Sequence, residues 1–317
     1  VFRFGENRMK VLFVGSKKLG YLSLIKIHEL DPESLIGVVT IDDTNDKRSY
    51  FLEIIEYCKS NSIPIYKPYI LNVGQDFDLI VKKLKPDIVF VMCWYWIISK
   101  ECIDSVPKGF IGIHNSLLPL YRGGSPLVWS IINGEKYVGF TMFSIKEGID
   151  DGNIWFQNYI FLEHDYYIED ILDKLTKLSI EALNNIYFDI IMGRVKSFTQ
   201  NHKFATYCAQ RIPVDGLIDW NWTDIQVYNF IRAQTHPYPG AFFKFKNNEF
   251  IVNKVETRSN IIFYGTPGQL IKYLGDYGIV CGNNRIVIIK EIINRIDKTK
   301  TILKLKDLNW SMGTRLK

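Results

Sequence analysis

At 317 residues, 47% hydrophobic and 23% charged, the chain can build one large or two modest domains with a real core, which excludes a disordered, collagen-like or coiled-coil protein. Lys and Arg outnumber Asp and Glu by only 39 to 34, a surplus that permits an anionic partner without requiring nucleic acid. The five cysteines are scattered, with no C-x-x-C pair, so free thiols in a reducing compartment are expected rather than disulfides or zinc.

Residues 1–8 mix aromatic and charged side chains, without the basic-then-apolar order of a signal peptide, and no apolar run nears the roughly 20 residues of a bilayer span. A cytoplasmic protein is expected. Residues 10–15 read as a buried strand, 19–30 as a helix and 35–40 as a second strand, the β-α-β grammar of a parallel sheet. Helices over 50–61 and 76–84 follow, then strands over 87–92 and 110–114. The chain next enters a Gly-, Pro- and Arg-rich loop over 115–124, a helix to about residue 132, and strands over 138–144 and 153–160. A long amphipathic helix spans 168–191, its apolar face given by Ile168, Ile171, Leu172, Leu175, Leu178, Leu183 and Ile186.

Beyond that helix the grammar changes to short strands broken by Gly, Pro and Asn, with one helix over 224–233. Strand candidates over 242–245, 249–255, 269–274, 278–281, 285–292 and 301–305 suggest a small antiparallel barrel. The expected division is 9–198 and 205–317. Residues 201–317 carry 17 basic against 9 acidic side chains, so the positive charge concentrates in the second part.

The densest chemical signal is Gly112-Ile113-His114-Asn115-Ser116-Leu117-Leu118-Pro119-Leu120-Tyr121-Arg122-Gly123-Gly124. His114 stands where a strand gives way to a polar loop, the edge at which open α/β sheets bind ligands, and an imidazole there can move a proton near neutral pH. Asp150 and Asp151 lie in a Gly148-to-Gly152 turn between two strands, from which one carboxylate can reach His114 and orient it. Arg122 with its glycines can present a guanidinium and backbone N–H groups to an anion, or serve as a loop salt bridge. Cys93-Trp94-Tyr95-Trp96 can wall a flat heteroaromatic ring, or simply pack. Gly15-Ser16-Lys17-Lys18-Leu19-Gly20 falls short of a dinucleotide fingerprint.

The stretch from Phe110 to Ile154 resembles the folate-dependent formyltransferase family, in which an Asn-x-His strand end precedes a Ser-Leu-Leu-Pro-x-Tyr-Arg-Gly loop and a Gly-hydrophobic-Asp-x-Gly turn. Arg211-Ile212-Pro213, Asp219-Trp220, residues 229–233 and residues 237–242 look like the second domain of its two-domain members. The resemblance implies a Rossmann-like α/β domain with helices on both sheet faces, followed by an OB-like β-barrel. It implies transfer of a formyl group from N10-formyltetrahydrofolate to an amine, without a metal; the N5-formyl form would be a non-reactive analogue.

By the same resemblance the family's His and Asp fall on His114 and Asp150, and its Asn falls on Gly112, where this chain departs from the pattern. Losing one oxyanion donor typically costs about 2.7 to 4 kcal/mol. An engineered substitution, compensation by Asn115 or a backbone N–H, and a weakened enzyme all remain open. The pterin is expected beside Trp94, Tyr95, Trp96 and Ile98, with Ile145 and Gly148 nearby. Ser116, Tyr121, Arg122, Gly123 and Gly124 are the expected acceptor contacts.

For the acceptor, the second domain argues against a purine-pathway amine. The short, partly acidic loop over 40–48 lacks the basic insertion of tRNA-acting members, and Gly124-Ser125-Pro126-Leu127-Val128-Trp129 looks more like bacterial sugar formyltransferases. A nucleotide-linked amino sugar for surface polysaccharide synthesis is therefore the expected partner. Initiator methionyl-tRNA, or a folate-binding relative of reduced turnover, is the alternative; no membrane partner is expected, and a homodimer is the candidate assembly.

Overall fold

The chain was analysed as a computed structural model that describes residues 8–69, 72–258, 260–295, 302–308, 310–311 and 313–316. The reading of residues 1–7 and the first residue of the strand expected over 301–305 lie outside them. In chain order the elements are β1 (Val11–Gly15), α1 (Lys17–Leu30), β2 (Leu35–Val39), α2 (Phe51–Ser60), β3 (Ile65–Tyr66), α3 (Val73–Leu84), β4 (Ile88–Met92), α4 (Lys100–Asp104), β5 (Phe110–His114), β6 (Arg122–Gly123), α5 (Pro126–Ile132), β7 (Tyr137–Ile145), β8 (Ile154–Phe161) and α6 (Ile168–Ile191). There follow β9 (Tyr207–Cys208), α7 (Asp224–Arg232), β10 (Ala241–Phe245), β11 (Asn248–Thr257), β12 (Leu270–Tyr273), β13 (Asp276–Val280), β14 (Ile286–Asn294) and β15 (Ile302–Leu303).

Two compact units arise, one from residues 1–123, 139–160 and 173–207, the other from 124–138, 161–172 and 208–317. The first is built on a seven-stranded sheet of order β3-β2-β1-β4-β5-β7-β8. β1 and β4 are buried along their whole length, as parallel strands covered on both faces must be, which explains their unbroken apolar runs. β1 pairs in parallel with β2 and β4, β4 with β5, and β7 returns antiparallel against β5 with His114 opposite Thr141. One face packs Val11, Phe13, Ile88, Phe90 and Ile111 against Leu24 and Ile27 of α1 and Leu183 and Tyr187 of α6. The opposite face packs Leu12, Val14, Val89 and Val91 against Phe77 and Val81 of α3.

Along α6 the expected stripe is buried at Ile168, Ile171, Leu175 and Leu183, while Leu172, Leu178 and Ile186 are only partly covered. All parallel strands point their carboxyl ends the same way, so the loops after β1, β4 and β5 open on one edge of the sheet.

The second unit carries the antiparallel β-sheet, of order β10-β11-β14-β13-β12, with β15 joined to β14. Phe243, Phe250, Val252, Leu270, Val287 and Ile289 of this sheet bury against Val227, Phe230 and Ile231 of α7. Among the described residues no helix is long and apolar enough to cross a membrane.

Candidate active site

β5 ends at His114, and the chain bends at once at Asn115 and Ser116. The His114 ring is nearly buried and packs edge-on to Phe143, with centroids 6.2 Å apart. Its Nε2 lies 2.7 Å from the carbonyl oxygen of Tyr121, and because a carbonyl only accepts, this contact puts a proton on Nε2. Nδ1 faces Asp150 Oδ2 at 3.5 Å, ion-pair range rather than a formed hydrogen bond. The same Oδ2 accepts from the Gly123 backbone N–H at 2.8 Å. His114, Tyr121, Gly123 and Asp150 thus converge at the end of one strand.

The loop over 115–124 is bolted down by its own polar groups. Thr141 Oγ1 donates to the Ser116 carbonyl at 2.6 Å and accepts from Leu118 N–H at 3.0 Å. Gln157 Nε2 donates to Leu118 O and to Thr141 Oγ1, both at 2.8 Å, and Ser116 Oγ donates to Leu120 O at 2.6 Å. The Ser116 hydroxyl and the Arg122 guanidinium therefore serve the fold of the loop: both side chains are buried, and Arg122 reaches Gln200 and Tyr207 instead of solvent.

Left-handed backbone also occurs here: Lys17, Cys93, Tyr121 and Asp150 hold φ of +59°, +58°, +58° and +46°, at the start of α1 and in the loops that follow β4, β5 and β7. Each such residue costs about 1 to 3 kcal/mol and persists where its surroundings over-determine it, as they commonly do at functional sites. In the turn after β7, a Cβ on Gly152 would overlap the Ser144 backbone carbonyl, so that position requires glycine, whereas one on Gly148 would meet only the movable Asp151 carboxylate.

The aromatic segment leaves β4 beside the same strand end: Val91 pairs with Gly112, and two residues further along stand Cys93 and His114. Trp94 packs on Phe77 and Trp96 with centroids 5.6 and 5.3 Å away, and Tyr95 lies against Trp96 at 5.8 Å. Ile98 is buried in the core with Cys102 and Val106, whereas Ile97 is 93% exposed. Burial pushes the Cys93 thiol up to about 11, which keeps it protonated near neutral pH and disfavours a nucleophilic role. Ile145 borders Gly112, where a Cβ would stand 3.1 Å from Ile145 Cδ1. Gly124 belongs to the second unit, where the Gln210 backbone occupies the place of its absent Cβ.

Sequence reasoning missed two features. Gln200 is buried and bonds the Asp150 and Gly152 carbonyls, a contact between segments 50 residues apart that no motif announces. Lys17 Nζ meets Asp43 at 2.7 Å and Asp46 at 2.8 Å and lies 5.2 Å from the centre of the Tyr95 ring. Burial opposes the charge on Lys17, but the two carboxylates outweigh it and raise its pKa. Arg48 in turn grips Asp46 through Nη2 at 2.7 Å, and Ser49 bonds Asp43.

The match to known proteins decides the identity. A formyl transferase family model matches residues 26–186, and a model of the formyl transferase C-terminal domain matches 212–306. The chain belongs to the formyl transferase family. This folate-dependent formyltransferase is 34% identical over 267 residues to the bifunctional polymyxin resistance protein ArnA of Wigglesworthia glossinidia brevipalpis, a match covering 84% of this chain and 40% of that protein. It is 30% identical to the methionyl-tRNA formyltransferase of Ruminiclostridium cellulolyticum over 309 residues, covering 94% and 95% of the two chains. Among solved structures it resembles WlaRD, a sugar 3N-formyl transferase determined with dTDP and 5-N-formyl-THF, with a TM-score of 0.68 at 20% identity over 90% of this chain and 98% of that one. The formyltransferase takes its formyl group from N10-formyltetrahydrofolate, the donor implied by the sequence resemblance.

Proposed function

We propose that the enzyme transfers the formyl group to the amine of a nucleotide-linked amino sugar, for bacterial surface polysaccharide synthesis. The observation that carries this acceptor class is the state of the loop after β2. Its Asp43 and Asp46 are spent on Lys17 and Arg48, which leaves a closed, internally neutralised turn rather than a basic arm for a phosphate backbone. In the second unit three of the basic groups are held by neighbouring carboxylates, Lys290 by Asp276 at 2.8 Å, Arg295 by Glu249 at 2.9 Å and Arg258 by Glu256 at 2.9 Å, while the unit's excess of positive charge is unchanged by such pairs. Likeness to a sugar 3N-formyl transferase supports the same choice.

In this reading residues 9–198 carry the chemistry, and 205–317 form the accessory domain. When bound, the folate supplies a formyl carbon attached to a nitrogen that can leave. The chain's own residues then handle position and protons. His114 would act as base at Nε2 in its other tautomer, with the resident proton moved to Nδ1 opposite Asp150 and the Tyr121 carbonyl exchanged for substrate; the proton it takes from the acceptor amine would then be returned, directly or through water, to the nitrogen that leaves. Asp150, anchored by Gly123 N–H, supports the charge that the ring gains. Asn115, which follows the strand end at a bend, or a backbone N–H of the loop supplies the oxyanion donor that Gly112 lacks. Trp94, Tyr95 and Trp96, with Ile145 and Gly148, would frame the pterin, and Tyr121 and Gly123 would shape the acceptor side, while the expected contacts Ile98, Ser116 and Arg122 are buried and support these walls from behind.

A second reading, initiator methionyl-tRNA, is favoured by the near full-length match to a methionyl-tRNA formyltransferase. Incubation with N10-formyltetrahydrofolate and a panel of UDP-, dTDP- and CMP-linked amino sugars, alongside Met-tRNA, separates the two. A mass gain of one CO on a sugar nucleotide is expected; gain on Met-tRNA alone selects the second reading, and binding of the N5-formyl analogue with no transfer to any amine selects a folate-binding relative.

A further inference from the structure

Gln200 belongs to no motif, yet its buried carboxamide is fully used, and every bond it makes bears on the frame of the site. Nε2 donates to the carbonyl oxygens of Asp150 at 2.8 Å and Gly152 at 2.7 Å. Oε1 accepts from Arg122 Nε at 3.1 Å and Nη2 at 2.6 Å. Only one orientation of the amide satisfies both ends, because carbonyls need donors and a guanidinium needs an acceptor. Arg122 is itself fixed, reaching Tyr207 Oη at 3.2 Å and His202 Nδ1 at 3.1 Å. The turn that Gln200 grips needs an outside hold, since Asp150 sits at φ +46° and Gly152 is pressed against the Ser144 carbonyl.

We propose that Gln200 is the positioning residue for Asp150, with Arg122 as the buried cation that sets Gln200. Two carbonyl anchors fix the backbone of the turn, so the carboxylate reaches the Gly123 N–H and the His114 ring together. For its kinetic consequence the inference rests on the formyl-transfer reading; for its structural consequence it does not.

Two variants test it. Gln200→Glu keeps an oxygen for Arg122 but turns carboxylate oxygens toward the Asp150 and Gly152 carbonyls; Gln200→Ala removes both functions. In each, kcat should fall roughly 10- to 100-fold, the loss a misplacement of about 1 Å produces, with KM for the formyl donor changed less than about twofold. Hydrogen exchange at the Gly123 amide should speed up at least about tenfold while amides of the central strands β4 and β5 stay protected, the mark of a local rather than a global change. The proposal is overturned if Gln200→Glu keeps wild-type kcat and a protected Gly123 amide, or if protection of β4 and β5 falls in parallel with that of Gly123. If the wild-type protein transfers no formyl group to any acceptor, the functional reading fails, and the exchange measurement still decides what Gln200 does.

Discussion

Ile145 Cδ1 stands 3.1 Å from the point where a Cβ on residue 112 would lie, so the absence of a side chain at Gly112 is matched by an isoleucine that leans into the space. The two residues are on adjacent antiparallel strands, and Ile145 also packs into the cluster of Leu118, Phe143 and Ile154. The glycine therefore belongs to a fitted pair. A Cβ alone needs Ile145 to give by a few tenths of an ångström, whereas the longer asparagine must displace it.

Gly112→Asn by itself is accordingly expected to leave kcat unchanged or lower. Gly112→Asn with Ile145→Ala opens the space and should exceed the single variant, by up to roughly 100-fold if the new amide reaches the oxyanion. Steady-state kinetics of the three proteins check this. A large rise in kcat from Gly112→Asn alone would show that Ile145 is no obstacle and that the natural site lacks its donor.

Replacing His114 by Ala should cost about 10² to 10⁴ in kcat, the usual share of a positioned acid–base group. Asp150→Asn is the finer probe: its amide oxygen can still accept from Gly123 N–H, so the turn should keep its place and the Tm should stay within a few degrees of wild type. Its kcat should still fall, because the charge facing Nδ1 is gone. A variant that keeps full turnover would remove Asp150 from the mechanism.

What the sequence made legible followed its local signals. β1, β4 and α6 were readable because unbroken apolar runs and a helical stripe reflect burial on both faces of a sheet and on one side of a helix. The two-residue strand β3 between Pro64 and Pro68, and the single short helix α4, carry too few residues to show any period. His114 and the Asp150 turn stood out because a polar, glycine-rich loop at a strand end has few other uses. Gln200 and the Lys17 cluster did not, because their meaning lies in contacts across the chain: Gln200 is defined by carbonyls 48 and 50 residues away, and Lys17 by a turn beyond β2. The Arg122 guanidinium was legible as an anion-seeking group, but its burial on Gln200 was not.

The loop after β2 predicts a response to acid. Burial works against the charge of Asp46, yet its hydrogen bonds to Arg48 and Lys17 win and hold the carboxyl well below the usual range. A carboxylate depressed in the folded state contributes stability that is fully present above its unfolded value, about 3.9, and is lost as pH falls toward the folded value. Thermal melts should therefore show a wild-type advantage over Asp46→Asn that is constant from about pH 5 to 7 and shrinks below about pH 4. An advantage that persists undiminished to the lowest pH would mean that the ion pairs are not what holds the turn.

Cys93 offers the last test, because it sits at the end of β4 at the level of His114 and would be the obvious thiol to suspect in an acyl-type transfer. Burial raises its thiol to about 11, partly countered by the neighbouring Gly20 backbone and Lys17. At pH 8 the thiolate fraction is then on the order of a thousandth, far below that of a free cysteine titrating near 8.5. Iodoacetamide at pH 8 should leave Cys93 unmodified in the folded enzyme over the time in which a small thiol is fully alkylated, as read by peptide mass spectrometry. Cys93→Ser should retain most of the wild-type kcat, since no step passes through sulfur. Rapid alkylation of the partly exposed Cys93 would contradict the raised thiol, and loss of turnover in Cys93→Ser would give sulfur a part in the reaction.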